Sequence, residues 1–230
     1  MIKHIFLDLD DTILDFHGAE GVAIVKAFKE LGIPTDEGTI AEYKRINRAC
    51  WESMERGEIE RERVLTRRFE ILFEKLGISL SPEKTQETYA YRLGCEHSFL
   101  PGGKELLDEL SGLGKYKLYI ASNGIYRVQK PRIDASGIAR YFEDIFISEK
   151  IGYNKPSAEF FDICFSKIRD FKKEECIIVG DSLSSDILGG KNAGILTCFF
   201  NPHGKAADSI IPDYEIRELS ELVPILNSIK

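Results

Sequence analysis

Two kinds of hydrophobic pattern divide the chain. Residues 1–14 and about 100–230 carry short apolar runs separated by stretches of helical period, whereas residues from about 16 to 97 carry helical period alone. The short runs include Ile5-Phe6-Leu7, Lys117-Leu118-Tyr119-Ile120-Ala121, Asp144-Ile145-Phe146-Ile147-Ser148 and Cys176-Ile177-Ile178-Val179. They are too short for helices and too continuously apolar for strands with one wet face. Such runs predict parallel strands buried on both sides. Strands alternating with helical stretches predict an α/β fold with a doubly wound, Rossmann-like parallel sheet.

The intervening region reads differently. Helical patterns cover roughly 18–31, 37–56, 60–76 and 82–96, punctuated by Gly32-Ile33-Pro34, Gly57 and Gly77. Within 37–56, Ile40, Tyr43, Asn47, Cys50, Trp51 and Met54 fall on one helical face, a stripe that reads mostly as bundle core. Glu58-Ile59-Glu60-Arg61-Glu62-Arg63 alternates charge and reads as a solvated helix start. Pro101-Gly102 opens a further helix through about Leu113. The expected organisation is a core of residues 1–15 plus 99–230, with an all-α helical bundle inserted at 16–98. Phe16-His17 and Ser98-Phe99-Leu100-Pro101 are the expected hinges.

Composition narrows the class. A hydrophobic content of 43% and mean hydropathy of −0.19 are ordinary for a globular protein, and no apolar run is long enough to span a bilayer. Met1-Ile2-Lys3-His4 leads at once into strand residues, so no signal peptide is expected. The five cysteines are scattered, with no Cys-x-x-Cys pair, which predicts reduced thiols and a cytoplasmic location. A net charge of −7 argues against a nucleic-acid polymer as partner.

The candidate chemistry sits where the apolar runs end. Ile5-Phe6-Leu7 leads to Asp8-Leu9-Asp10-Asp11-Thr12, and the second run leads to Ser122-Asn123-Gly124. The third is followed by Gly152 and Lys155-Pro156, and the fourth by Gly180-Asp181-Ser182 and Asp186. In a doubly wound sheet these ends share one crevice. It would hold Asp8, Asp10, Ser122, Lys155, Asp181 and Asp186. Carboxylates gathered at strand tips repel, and a cation or a proton-transfer task keeps them together. An EF-hand fits poorly: Ala19 stands where its bidentate Glu should be, and a strand precedes the loop.

The order Asp-x-Asp-x-Thr, Ser-Asn, Lys-Pro, Gly-Asp-x-x-x-x-Asp resembles the haloacid dehalogenase superfamily in its phosphatase branch, along nearly the whole chain. That resemblance implies a helical cap domain at 16–98 and a phosphate monoester as substrate. Asp8 resembles the family nucleophile, which forms an aspartyl-phosphate. Asp10 would protonate the leaving oxygen and later activate water. Mg²⁺ is the implied cofactor, held by Asp8, the backbone of Asp10 and Asp181, with Asp186 either orienting a metal-bound water or holding Lys155. Ser122, Asn123 and Gly124 would bind phosphoryl oxygens, and Lys155 would neutralise charge. Thr12 either binds substrate or satisfies the loop backbone. The glycines in Asp186-Ile187-Leu188-Gly189-Gly190-Lys191-Asn192-Ala193-Gly194 read as close helix–sheet packing.

Within the superfamily the chain is most similar to the bacterial house-cleaning pyrimidine 5′-nucleotidases. The shared stretches are Asn47 with Trp51, Arg68-Phe69, Ser122-Asn123-Gly124 continuing to Gln129 and Arg132, Ser148 through Pro156, Ser185 through Gly194, and Cys198. The resemblance implies hydrolysis of UMP, dUMP, dTMP and non-canonical pyrimidine nucleotides by a monomer or dimer. Asn47 is a candidate for a base edge. Trp51 either stacks on a base or packs the bundle, and Arg68 either reaches substrate or lays its stem on the core. Relatives with similar caps hydrolyse sugar phosphates, phosphoglycolate or sialic-acid phosphate, and a phosphomutase shares the first motif. A dehalogenase lacks the second acid, which Asp10 supplies here. A phospho-accepting receiver module orders its residues differently and has no place for the insert. A catalytically idle binding protein is disfavoured by the intact acid set.

Overall fold

The computed structural model describes residues 1–56, 58–204 and 209–229. Gly57, read above as a helix break, lies outside the described residues. The chain forms two compact units, one of Met1–His17 with His97–Lys230 and one of Gly18–Glu96.

The first unit is built on a sheet that is six-stranded among the described residues. Its strands are β1 (His4–Leu7), β2 (Lys117–Ser122), β3 (Phe142–Ile147), β4 (Cys176–Gly180), β5 (Leu196–Phe200) and β6 (Tyr214–Ile216), in the order β3-β2-β1-β4-β5-β6, all parallel. The chain builds one half of the sheet from β1 through β3. It then crosses to β4 on the other side of β1, so the topological switch lies between β1 and β4.

The continuous apolar runs have the predicted cause. Ile5 and Leu7 enter one core layer with Leu118, Ile120, Ile177 and Val179. Phe6 enters the opposite layer with Tyr119, Ala121, Cys176 and Ile178. Period-two alternation thus places the apolar residues of each run in a core, one side or the other, while Lys117 and Asp144 at two run starts stay exposed. The first layer is closed by Leu106, Leu107 and Leu110 of α5 (Gly103–Gly112), Ile133 of α6 (Tyr126–Ser136) and Leu222, Val223 and Leu226 of α10 (Leu222–Ser228). The second is closed by Phe160, Phe161, Cys164 and Phe165 of α8 (Ala158–Ser166) and Ala193 of α9 (Leu188–Ala193). Burying one such aromatic or leucine side chain contributes roughly 1.5–3 kcal/mol.

Two boundaries differ from the sequence reading. Ser148 ends no strand; it opens the short helix α7 (Ser148–Ile151) one residue after β3. The stretch from Asp186 does not start as α-helix, because a π-helical turn, Leu183–Ile187, precedes α9. Ser182 caps that turn by accepting a hydrogen bond from the Ser185 amide. The glycines of α9 pack closely, as read: a Cβ on Gly190 would meet Ile178 Cγ2 at 2.5 Å and Thr197 Cγ2 at 2.6 Å.

The second unit is helical. It contains most of α1 (Phe16–Leu31) together with α2 (Glu37–Glu55), α3 (Arg61–Leu76) and α4 (Pro82–Gly94). Local chemistry sets the ends. Asp36 caps α2 through the Thr39 amide, Ser81 caps α4 through the Lys84 amide with Pro82 behind it, and Gly77 closes α3 at φ 63°. The core of the unit contains Phe28, Tyr43, Phe69 and Tyr89, with the rings of Tyr43 and Phe69 stacked 5.7 Å apart. The chain leaves and re-enters the sheet unit along one short ribbon: Leu14 bridges Phe99, and the Asp15 amide donates to the Ser98 carbonyl.

Candidate active site

The site residues follow from the sheet. Asp8 comes directly after β1, and its amide donates to the Val179 carbonyl of β4, so the first acid lies at the topological switch. The loop turns sharply behind it. Ile13 and Leu14 both donate to the Leu9 carbonyl, and Asp11 takes φ 57°. The Asp11 carboxylate is occupied with the amides of Phe16 and His17, which it caps at the start of α1. Of the neighbouring acids, that leaves Asp8 and Asp10 for chemistry. Thr12 is buried, and its hydroxyl has no hydrogen-bond partner among the described residues.

Lys155 is the hub of the site. Its ammonium donates to Asp8 Oδ1 at 2.6 Å, to Asp186 Oδ1 at 2.5 Å and to the Ala121 carbonyl at 2.5 Å. Three donors meet three acceptors, which is what a buried ammonium requires. Burial disfavours this cation, but Asp186 and Asp8 outweigh burial and hold it above the ordinary lysine range. Asn123 fixes the backbone that carries Lys155. Its carboxamide accepts from the Lys155 amide at 2.8 Å and donates to the Lys155 carbonyl at 2.9 Å. Asp186 also accepts from the Ser182 amide, and a Cβ on Gly180 would lie 2.2 Å from its Oδ2. Only glycine lets that carboxylate fold back over β4.

Carboxylate oxygens of Asp8, Asp181 and Asp186 lie within 4.8 Å of one another. With Lys155 as their counter-ion, the three acids carry a formal charge of −2 when all are ionised. Burial pushes the Asp8 carboxyl above its usual range; Lys155 pulls it down, and Asp186, Asp181 and Asp10 push it up again. Hard oxygens carrying a residual double negative charge suit a divalent ion such as Mg²⁺.

Ser122 ends β2 on the other flank of Asp8. Its hydroxyl oxygen accepts from the Gly124 amide at 3.0 Å and from Gln129 Nε2 at 2.9 Å. The same Gln129 nitrogen donates to Asp10 Oδ2 at 2.6 Å, and Arg132 pairs with Asp10 Oδ1. The roles of Gln129 and Arg132 were not read from the sequence. The available signal was two polar residues three apart on α6, on a face otherwise buried by Val128 and Ile133.

Hydrogen bonds therefore join Asp8, Asn123, Lys155 and Asp186 in one group, with Asp181 beside Asp8 and Asp186, and join Asp10, Ser122 and Gly124 through Gln129 in a second. Asn47, Trp51 and Arg68 belong to the helical unit and cluster with one another there. Arg68 donates to Asn47 Oδ1 at 2.7 Å and to Gln86 Oε1 at 2.6 Å, and Trp51 Nε1 donates to Asn47 Oδ1 at 3.1 Å. The Arg68 guanidinium lies over the rings of Tyr89 and Phe69. Asn47 in turn donates to Glu20 at 2.8 Å, so one polar chain joins all four helices of the unit.

The parallel sheet of this order, with acids at its switch point, makes the first unit a doubly wound α/β domain with a carboxylate-rich candidate site. The chain belongs to the haloacid dehalogenase-like hydrolases, whose family model matches residues 2–194. Its sequence is 35% identical to the pyrimidine 5′-nucleotidase PynA of Streptococcus pneumoniae, over 98% of this chain and 95% of that one. It is 30% identical to the pyrimidine 5′-nucleotidase YjjG of Escherichia coli, over 96% of both. The crystal structure of the HAD-hydrolase YfnB of Bacillus subtilis bound to magnesium matches with a TM-score of 0.93 at 38% identity, covering 98% of this chain and 99% of that chain.

Proposed function

We propose that the protein is a Mg²⁺-dependent phosphatase that hydrolyses pyrimidine nucleoside 5′-monophosphates through a phosphorylated Asp8. The observation that carries this reading is the join of Asp8 to Lys155, beside Asp181 and Asp186, with Asp10 and Ser122 linked on the other flank. A phosphoryl group needs a nucleophile, a proton for the leaving oxygen and positive charge on its other oxygens. These residues supply all three.

In the first step the Asp8 carboxylate attacks phosphorus, and the bond from phosphorus to the ester oxygen breaks. The Asp10 carboxyl gives its proton to that departing oxygen. Asp10 then takes a proton from the water that attacks the aspartyl-phosphate, which releases inorganic phosphate and restores Asp8. Lys155 keeps Asp8 oriented and offsets charge on the transferring group. Ser122 donates its hydroxyl hydrogen to a phosphoryl oxygen. Asn123 acts through Lys155, Gly124 acts through Ser122, and Thr12, buried with an unpartnered hydroxyl, completes the loop behind Asp8. Asp8, Asp181 and the Asp10 carbonyl would hold Mg²⁺, with Asp186 alongside. Such an ion, when bound, supplies the positive charge that draws electron density from the phosphoryl oxygens.

Residues 16–98 serve as the cap that selects the substrate, with Asn47, Trp51 and Arg68 as its specificity residues. The pyrimidine choice is supported by the two related nucleotidases. The test is a panel of phosphate monoesters assayed for phosphate release with Mg²⁺. UMP, dUMP and dTMP should lead sugar phosphates, phosphoglycolate and sialic-acid phosphate. A panel led by a sugar phosphate would replace the substrate and keep the mechanism; no hydrolysis of any monoester would overturn both.

A further inference from the structure

We propose that Gln129 and Arg132 are positioning residues that aim the carboxylate of Asp10 and make the Ser122 hydroxyl an obligate donor, an inference that rests on the phosphatase reading above. Both side chains are essentially inaccessible, Gln129 at 1% and Arg132 at 0% exposure. Burying a guanidinium is costly unless it is paired. Arg132 lies beneath the site, with its charge directed at Asp10, whose side chain is 25% exposed. A buried cation holding a partly exposed acid fixes the direction in which that acid can act.

The orientation of Gln129 is dictated by its neighbours. Its Oε1 accepts from Arg132 Nη1 at 2.8 Å, while its Nε2 faces Asp10 Oδ2 and Ser122 Oγ. A flipped amide would set nitrogen against guanidinium nitrogen and oxygen against carboxylate, so only one orientation is satisfied. The two hydrogens of Nε2 then serve Asp10 and Ser122, one each. A serine hydroxyl has two lone pairs and one hydrogen. At Ser122 the lone pairs are met by Gln129 and by the Gly124 amide. Its hydrogen is left to donate, which is the polarity that an anionic phosphoryl oxygen needs. Gly124 is part of the arrangement, because a Cβ there would lie 2.3 Å from Gln129 Nε2. One glutamine therefore ties the phosphate-binding hydroxyl to the proton-transfer carboxylate.

A leaving-group comparison separates positioning from a purely structural role. Benzyl phosphate leaves as an alkoxide and needs a proton; p-nitrophenyl phosphate is similar in size and leaves without one. Gln129→Met and Arg132→Lys should lower kcat/KM for benzyl phosphate by at least about tenfold more than for p-nitrophenyl phosphate, since small misplacements of an acid cost on the order of 10²-fold. Ser122→Ala should lower both alike. Asp10→Asn should show the same preference as the positioning variants, and more strongly. If Arg132→Lys fails to fold by thermal melt, Gln129→Met alone decides, because it removes no charge. Equal losses on both esters in folded Gln129→Met, beside a selective Asp10→Asn, would overturn the positioning role alone. An unselective Asp10→Asn would overturn the acid role and the inference with it.

Discussion

The ammonium of Lys155 lies 2.6 Å from Asp8 Oδ1, across 147 residues of sequence, and both side chains are withdrawn from solvent. Removing one member of such a buried pair leaves an uncompensated charge, a loss of roughly 3–5 kcal/mol. Here two carboxylates depend on the same ammonium, because Asp186 shares it. Lys155→Met should therefore abolish turnover and lower stability by about 3 kcal/mol or more in urea unfolding. Mg²⁺ should restore part of that stability, since a cation can take over the field of the two acids. A Lys155→Met protein as stable as the parent would show that the ion pair is not what offsets the buried acids.

Asp8→Asn keeps the shape of the side chain and removes its nucleophilic oxygen. It also eases the crowding of acids that pushes the Asp8 carboxyl up. Because Lys155 keeps Asp186 as its counter-ion, the variant should fold with undiminished stability, and it should hydrolyse no monoester above about 10⁻³ of the parent rate, given the 10⁶-fold or larger acceleration that enzymes provide. Substantial turnover by a folded Asp8→Asn protein would move the nucleophile elsewhere.

Most of this site was legible in the sequence, because its residues stand directly after apolar runs whose burial on both faces fixes where they end. Asp8 and Asp181 each directly follow a strand, and Ser122 is the last residue of one. Gln129 and Arg132 were not legible in this way. They lie inside a helix, and helical period shows which face is buried without showing what a buried polar residue meets. The pairing of Asn123 with the Lys155 backbone was hidden for a related reason, since it joins loops 32 residues apart. The π-helical turn before α9 escaped because its residues carry no signal distinct from an α-helical start.

Metal removal gives a test that does not depend on substrate. The cluster of Asp8, Asp181 and Asp186 has a formal charge of −2 beside Lys155 when ionised, so a divalent ion should bind the folded chain alone. EDTA should silence activity, and Mg²⁺ should restore it and raise the melting temperature. At a hundredfold excess over the dissociation constant the stabilisation is about 2.7 kcal/mol. Asp181→Asn should shrink that Mg²⁺-dependent shift. A melting temperature indifferent to Mg²⁺ would count against the site even if activity still fell with EDTA.

The thiols offer a pH-linked test of the core. Burial pushes Cys164, Cys176 and Cys198 up to about 12 and also raises Cys50, whereas Cys95 is exposed. The thiolate is the reactive form, so a raised value leaves almost none of it at pH 8. Native protein should give one rapidly modified cysteine, Cys95, with the others reacting only on unfolding or as the pH approaches 12. Early modification of Cys176 or Cys198, on adjacent strands, would mean that the sheet opens locally.

The chain of contacts from Glu20 through Asn47 to Arg68 and Gln86 bears on substrate choice. Asn47 Oδ1 accepts from both Arg68 and Trp51, which aims its amide at Glu20. If these residues recognise the base, their loss should fall on nucleotides and spare small esters, because remote contacts are used in the transition state. Asn47→Ala should lower kcat/KM for UMP by about tenfold or more, as a polar contact is worth roughly 1–3 kcal/mol. Arg68→Ala should act in the same direction by leaving Asn47 unheld, and should also lower the melting temperature, since Arg68 is buried at 3% exposure. p-Nitrophenyl phosphate, which offers no base, should lose much less. Equal losses on both substrates would mean that the polar chain only holds the four helices together and that specificity resides elsewhere.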